Sequence, residues 1–149
     1  YSSFSGFFIL SHSGVMIVFA VARRMEVCID VEQQRPLKRR DQIAKGILAA
    51  SELSQFEALA EQERQSAFFT IWTRKEAIVK AVGKGLCFPL TELEVSLSPE
   101  PQVLRFGDCT GEAVPWHLCN IECGQGYSAA LATDRPVEPP AVRKWNPVA

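Results

Sequence analysis

The fold class depends most on residues 62–83, which read QERQSAFFTIWTRKEAIVKAVG. Five large apolar side chains recur in this stretch at the spacing of one helix face. They are Phe68, Ile71, Trp72, Val79 and Val82. This spacing predicts one long helix from Gln62 to Val82, and Gly83 is a typical helix stop. Such a helix must bury its apolar face against a sheet or against other helices.

Largely apolar runs on either side of this helix predict β-strands. Val15–Ala22 and Val27–Val31 predict two buried strands before it. Short β-like pieces separated by Pro, Gly and Asp follow it: Leu93–Leu97, Val103–Phe106, Val114–Ile121 and Tyr127–Ala132. Asp41 is a predicted N-cap of a shorter helix, and another short helix is predicted from Ser51. The sequence therefore predicts an α+β fold in which an antiparallel sheet packs with a long helix and shorter helices.

The composition is that of a compact globular domain with no excess of one charge. The chain has 149 residues, 47% hydrophobic and 22% charged, with a formal net charge of -1. This balance argues against nucleic acid or an anionic membrane as partner. The apolar stretch Phe7–Ala22 is interrupted by polar residues and is shorter than the roughly 20 residues of a membrane span. The odd number of cysteines, five, without paired spacings, favours a reducing cytoplasm.

The strand Cys28–Glu32 carries two carboxylates on one face. The side-chain period of two puts Asp30 and Glu32 on one side and Ile29 and Val31 on the other. Neighbouring carboxylates repel each other unless a cation or hydrogen-bond donors compensate, so a metal ion is one explanation. The alternative is an exposed edge strand with solvated acids.

Three side chains of the predicted long helix form a stripe. Trp72, Glu76 and Lys80 are successive i, i+4 neighbours. If the stripe faces Asp30 and Glu32, three carboxylates converge in a manner that suits Mg²⁺, with Lys80 beside a bound phosphate. The alternative is an ordinary Glu and Lys pair on a solvent-facing helix.

The segment Leu10–Gly14 is a polar interruption of otherwise apolar sequence. Its hydroxyls, its imidazole and the backbone N–H groups around Gly14 are suited to an anion. Nucleophilic catalysis by Ser11 with His12 is disfavoured, because adjacent residues of an extended chain point to opposite sides.

Taken together, these segments resemble one family, the phosphopantetheinyl transferases of the surfactin-activating type. The family pattern is Leu-Ser-His-Ser-Gly, then Gly-Ile-Asp-Val/Ile-Glu, then Trp-x-x-Lys-Glu-Ala/Ser-x-x-Lys and Gly-Lys-Gly-Leu. Its counterparts occur here in that order at residues 10–14, 28–32, 72–80 and 83–86. Cys28 replaces the usual glycine before Ile-Asp, and the resemblance covers roughly residues 1–132.

The resemblance implies roles for particular residues. Asp30, Glu32 and Glu76 correspond to the magnesium ligands of the family. Contacts to the phosphates of coenzyme A are expected from Ser11, His12, Lys75 and Lys80, of which Lys80 also assists catalysis. Glu52 corresponds to an acidic residue that activates the acceptor serine as a base, a role for which a metal-held water is the alternative.

The resemblance also implies a reaction and a chain organisation. The family transfers the 4′-phosphopantetheine group of coenzyme A to a serine of an apo acyl or peptidyl carrier protein, with Mg²⁺, and releases 3′,5′-ADP. Such enzymes have two similar halves with coenzyme A between them. Residues 1–26 are then the end of the N-terminal half, 27–133 the C-terminal half, and 134–149 a proline-rich tail. Without the first half, this chain is expected to expose apolar surface along residues 7–22.

Two lesser signals and two rival functions remain open. His117, Cys119 and Cys123 share one face of a predicted strand, but a straight strand cannot wrap a tetrahedral zinc ion. The basic run from Arg35 to Arg40 is either a solvated turn or a docking site for an acidic carrier protein. The rival functions are a single-half holo-carrier-protein synthase, which is a trimer, and a carrier-protein binding module without catalytic activity.

Overall fold

The computed structural model describes residues 6–83, 88–107 and 116–145. The strands are β1 (Gly6–Ser13), β2 (Met16–Arg23), β3 (Val27–Gln33), β4 (Leu93–Val95), β5 (Val103–Phe106), β6 (His117–Asn120) and β7 (Tyr127–Thr133). The helices are α1 (Arg40–Ile47), α2 (Ala50–Ala58) and α3 (Glu61–Val82), with a short 3-10 turn at Leu90–Glu92. The predicted α+β fold with antiparallel sheets and one long helix is therefore confirmed. No helix in these ranges is long and apolar enough to cross a membrane.

The centre of the fold is an antiparallel sheet in the order β3-β7-β6. Asp30 lies opposite Ala130, which in turn lies opposite Asn120, so these three residues share one sheet face. Ala130 belongs to the core cluster formed with α3, which therefore covers this face. Val27 and Ile29 belong to a second cluster with Ala20 of β2. The sheet thus lies between α3 and the hairpin of β1 and β2.

The β1–β2 hairpin depends on Gly14 at its turn. Gly14 has a φ of +58°, which favours glycine. An added Cβ would come within 2.5 Å of Oε1 of Gln33, the end of a flexible side chain that would have to move. The hairpin places Ser11 and Ser13 beside the carboxylates of β3.

One face of the hairpin is apolar and exposed, as expected from the sequence. Residues of β1 and β2 that lie opposite each other share one face of the hairpin. On the outer face, the large apolar side chains are 44–66% exposed. They are Phe8, Leu10, Ile17, Phe19 and Val21. A strand is present as predicted at 15–22, but the prediction that it is buried is wrong in this chain, since one face is exposed and, apart from Ala20, the other is only half-buried.

Two local predictions differ from the structure. Asp41 is not an N-cap: α1 begins at Arg40, and Asp41 lies in its first turn, where a carboxylate favours the helix dipole. The β-like pieces also do not form one sheet, because β4 pairs with β5 in a separate two-stranded sheet. Residues 134–145 form no helix or strand.

Candidate active site

Two serines of β1 cover the free edge of β3. Ser11 Oγ accepts a hydrogen bond from the Val31 N–H at 3.2 Å, and Ser13 Oγ accepts one from the Gln33 N–H at 3.0 Å. The same hydroxyls donate to Asp30 at 3.4 Å and to Glu32 at 2.9 Å. The two serines, which lie two residues apart, therefore provide acceptors for the N–H groups at the edge of β3. The same hydroxyls orient both carboxylates of that strand. Ser13 was not among the predicted site residues, although its alternation with Ser11 was a signal for it.

Asp30 is the buried centre of the candidate site. Its residue is 4% exposed, and its Oδ1 forms an ion pair with Lys80 Nζ at 2.5 Å. Its Oδ2 is buried and has no hydrogen-bond partner among the described residues. Burial raises the pKa of Asp30, and the nearby Lys80 opposes this rise. The site therefore holds a carboxylate oxygen that lacks a compensating donor.

Glu76 completes a group of three neighbouring acids with Asp30 and Glu32. Burial raises the pKa of Glu76, and the charges of Asp30 and Glu32 raise it further. In the described ranges, no three His, Cys, Asp or Glu side chains are close enough to form a ready-made metal site. The donor chemistry nonetheless fits Mg²⁺, because carboxylate oxygens are its usual protein ligands and Oδ2 of Asp30 is unpaired.

The predicted stripe on α3 divides between the site and the core. The side chain of Lys80 is 36% exposed, so its ammonium is accessible beside Asp30. Trp72 stacks on Phe68 with a centroid distance of 6.0 Å and packs against the core. The structure therefore brings Glu76 and Lys80 to the Asp30 cluster, while Trp72 supports the helix.

Glu52 and Lys75 lie in the interior, where they bind each other. Lys75 Nζ is 2.6 Å from Glu52 Oε2, with side-chain exposures of 0% and 1%. Lys75 also donates to the carbonyls of Ile47 and Leu90, both at 2.8 Å. Burial lowers the pKa of Lys75, and Glu52 opposes this change.

The carboxylate of Glu52 is fully engaged. It accepts the N–H of Ala49 at the start of α2 and the N–H of Val95 in β4, both at 2.7 Å. A ligand cannot reach either side chain of the Glu52 and Lys75 pair in this arrangement. This enclosure favours a structural role for both residues, rather than the predicted roles of Glu52 as a base and Lys75 as a contact to phosphate.

His12 lies on the face of β1 opposite to Ser11. It is exposed and paired with Ile17, on the apolar hairpin face that points away from β3. The structure thus places Ser11 in the Asp30 cluster and His12 outside it. His12 and Lys80 therefore lie on opposite sides of β1.

The remaining predicted features have different outcomes. His117, Cys119 and Cys123 form no metal-binding group, since none exists among the described residues. Within the basic run, Arg40 pairs with Asp41 and Glu61. Residues 84–86 of the predicted Gly-Lys-Gly-Leu segment lie outside the described residues.

A buried guanidinium on α3 is the functional candidate that sequence reasoning missed. Arg74 is 1% exposed and donates to Ser96 O and to Asn120 Oδ1. Arginine is rarely buried, so no periodicity argument would have selected this position.

The chain matches known proteins along most of its length. The model of the 4′-phosphopantetheinyl transferase superfamily matches residues 26–132. The chain is 33% identical over 126 residues to the 4′-phosphopantetheinyl transferase HetI of Nostoc sp., covering 84% of this chain and 50% of HetI. It is 30% identical over 130 residues to the 4′-phosphopantetheinyl transferase Sfp of Bacillus subtilis, covering 87% of this chain and 55% of Sfp. The chain thus spans about half the length of the curated relatives it matches.

Solved structures support the same fold. A holo-[acyl-carrier-protein] synthase of Thermotoga maritima superimposes with a TM-score of 0.58 at 26% identity, covering 72% of this chain and 61% of that one. A holo-(acyl-carrier-protein) synthase of Bacillus anthracis, in complex with CoA (3′,5′-ADP), gives 0.60 at 19% identity, covering 73% and 96%. At 19% identity, the match to the Bacillus anthracis synthase shows a shared fold and nothing more. Because the family model covers more than half of its residues, the chain belongs to the 4′-phosphopantetheinyl transferase superfamily.

Proposed function

We propose that the protein containing this chain transfers the 4′-phosphopantetheine group of coenzyme A to a serine of an apo acyl or peptidyl carrier protein in the cytoplasm. Mg²⁺ is the proposed cofactor, and 3′,5′-ADP is the product released. The observation that carries the proposal is the cluster of Asp30, Glu32 and Glu76 with the accessible ammonium of Lys80.

The proposed reaction exchanges one phosphorus–oxygen bond for another. The serine Oγ forms a bond to the β-phosphorus, and the bond from that phosphorus to the bridging oxygen breaks. Lys80 stabilises the charge that develops on the phosphate oxygens, where preorganised charge is most effective. When bound, Mg²⁺ would add positive charge at the same oxygens, and Asp30, Glu32 and Glu76 would hold it.

Glu52 and Lys75 act in this proposal through the fold. Their ion pair links the start of α2 and strand β4 to α3, which carries Glu76 and Lys80. We therefore assign them a positioning role. The serine proton would pass to a water molecule at the open side of the site, because Glu52 is enclosed and the acceptor serine approaches from the open side.

The two-half organisation is part of the proposal. Residues 1–26 would be the end of an N-terminal half, 27–133 the C-terminal half, and 134–149 a tail. Two observations support it: the chain spans about half of HetI and Sfp, and the hairpin exposes a row of large apolar side chains. Large contiguous apolar patches are uncommon on monomeric proteins.

A single-half carrier-protein synthase is the second candidate. The observation that favours it is the superposition on the Thermotoga maritima synthase, with a TM-score of 0.58 at 26% identity. In that case, a further copy of this chain would cover the hairpin. The native mass of the particle distinguishes this candidate from the first.

One assay tests the proposed function. The chain is incubated with coenzyme A, an apo carrier protein and Mg²⁺, with and without a separately supplied N-terminal half. Release of 3′,5′-ADP and the mass of the carrier protein are measured. A Mg²⁺-dependent mass shift is expected only when the missing half is present. Carrier binding without any mass shift, under both conditions, would identify a non-catalytic module instead.

A further inference from the structure

A second concave site lies on the flank of α3. It is a groove of about 670 Å³ between the N-terminal half of α3, the loop at residues 97–99 and the adjoining ends of β6 and β7. Among the described residues that line it, none belongs to the carboxylate cluster of the candidate active site. Its volume is in the range of small-molecule sites, about 300–1,000 Å³.

Arg74 lines this groove as a buried cation without a counter-ion. Its guanidinium forms no ion pair with a carboxylate of the described residues, and its Nε has no hydrogen-bond partner there. Burial lowers the pKa of Arg74 to about 10, which leaves it charged at neutral pH. A buried charge without a partner is costly, so an anion at this position would be stabilised.

The unpaired Nε shares one edge of the guanidinium with Nη2. Nη2 donates one of its two hydrogens to Oδ1 of Asn120 at 3.1 Å, and Nδ2 of Asn120 donates to the Pro99 carbonyl at 2.7 Å, so the acceptor at this end of Arg74 is a neutral side-chain oxygen. Asn120 is itself exposed at the groove. A carboxylate in place of that oxygen would accept from Nε and Nη2 together, the bidentate geometry in which arginine binds carboxylates most strongly.

We propose that the groove binds a small monocarboxylate with an apolar tail. The carboxylate displaces the Asn120 side chain and pairs with Nε and Nη2 of Arg74. Leu59, Leu97 and Ile121, which are partly exposed, provide apolar surface for the tail. One buried cation matches one negative charge, and the acids Glu63 and Glu122 in the lining disfavour a doubly charged ligand such as phosphate.

The test uses hexanoate, hexanamide and inorganic phosphate as probes of the 149-residue chain. Hexanamide matches hexanoate in shape but lacks the charge. Binding is followed by the NMR shifts of the backbone amides of Asn120, Ser128 and Ser66. Hexanoate is expected to bind about tenfold or more tightly than hexanamide, which is the usual gain from charged hydrogen bonds.

Variants then locate the binding. Asn120→Ala should strengthen hexanoate binding by removing the competing oxygen, and Arg74→Met should abolish it. Arg143→Met, in the exposed tail, should leave it unchanged. If Arg74→Met does not fold, Asn120→Ala and hexanamide still decide the question. Equal binding of the acid and the amide, no binding to either wild type or Asn120→Ala, or preferential phosphate binding would overturn the proposal.

Discussion

Lys75 and Lys80 lie five residues apart on α3, and each forms an ion pair with a carboxylate of another element. The two ion pairs differ in solvent exposure and in how many of their hydrogen-bonding positions are occupied. Lys75 and Glu52 are 0% and 1% exposed, and backbone groups occupy their remaining hydrogen-bonding positions. Lys80 is 36% exposed, and its partner Asp30 retains an oxygen without a donor in the described structure. We call Lys75 and Glu52 the saturated pair, because all their hydrogen-bonding positions are occupied and they can only hold elements together. We call Lys80 and Asp30 the unsaturated pair, because they can still bind a ligand. Residue type alone does not separate these roles.

Removing Asp30 gives the largest expected effect. Asp30→Ala should reduce Mg²⁺-dependent transfer by the protein with both halves to background, because the central carboxylate of the cluster is lost. The fold should remain, since the change removes one member of a repelling group of acids. Transfer is measured by the carrier mass shift, and the fold by thermal melting.

Asp41→Ala is the matched control for this change. Asp41 belongs to an exposed ion pair with Arg40, and such pairs contribute little. Its transfer rate should stay at the wild-type value. Wild-type transfer by Asp30→Ala would refute the assignment of the cluster.

Breaking the saturated pair should reduce stability first. Lys75→Met leaves the carboxylate of Glu52 buried without its cation, which typically costs about 3–5 kcal/mol of unfolding free energy. The double variant Lys75→Met with Glu52→Gln should recover part of the loss, because no buried charge remains unpaired. Urea unfolding of wild type, Lys75→Met, Glu52→Gln and the double variant measures this coupling.

The pH dependence of the transfer rate, measured at moderate substrate concentration, provides the second readout for this pair. The double variant should keep the wild-type dependence of rate on pH, since neither group exchanges a proton with the substrate in our proposal. If the double variant is as stable as wild type yet loses one limb of its pH profile, Glu52 is the base after all.

Removing the cation of the unsaturated pair should affect the rate more than the fold. Lys80→Ala is expected to slow transfer by about 10²- to 10³-fold, the usual loss for one electrostatic donor where charge develops. Lys45→Ala, an exposed lysine in the last turn of α1, serves as control. A similar small effect at both positions would mean that Lys80 does not face the reacting phosphate.

Loss of a serine from the edge of β3 should have the smallest effect. Ser13→Ala leaves the Gln33 N–H without its acceptor and Glu32 without its donor, a loss of about 1–3 kcal/mol. Ser54→Ala, on the exposed side of α2, should cost far less. Equal melting temperatures for the two variants would show that water replaces the Ser13 hydroxyl.

The sequence predicted most of the fold because its patterns are local. The helical spacing of residues 68–82 and the alternation at 29–32 each depend on neighbouring positions, so both appear in the structure. The separation of β4 and β5 into another sheet was missed, because strand pairing joins residues far apart in the chain. The burial of Arg74 was missed for the same reason, since its acceptors lie 22 and 46 residues away.

For the candidate site, the order of residues along the chain was enough to place Asp30 and Glu32 on one strand face and Glu76 and Lys80 on one helix face. Only the tertiary structure decided which neighbours these groups meet. It brought Lys80 to Asp30, enclosed Lys75 with Glu52, and turned Ser11 rather than His12 toward β3. The reason is physical: the chemistry of a charged group depends on its solvent exposure and its partners, and both depend on contacts between distant segments.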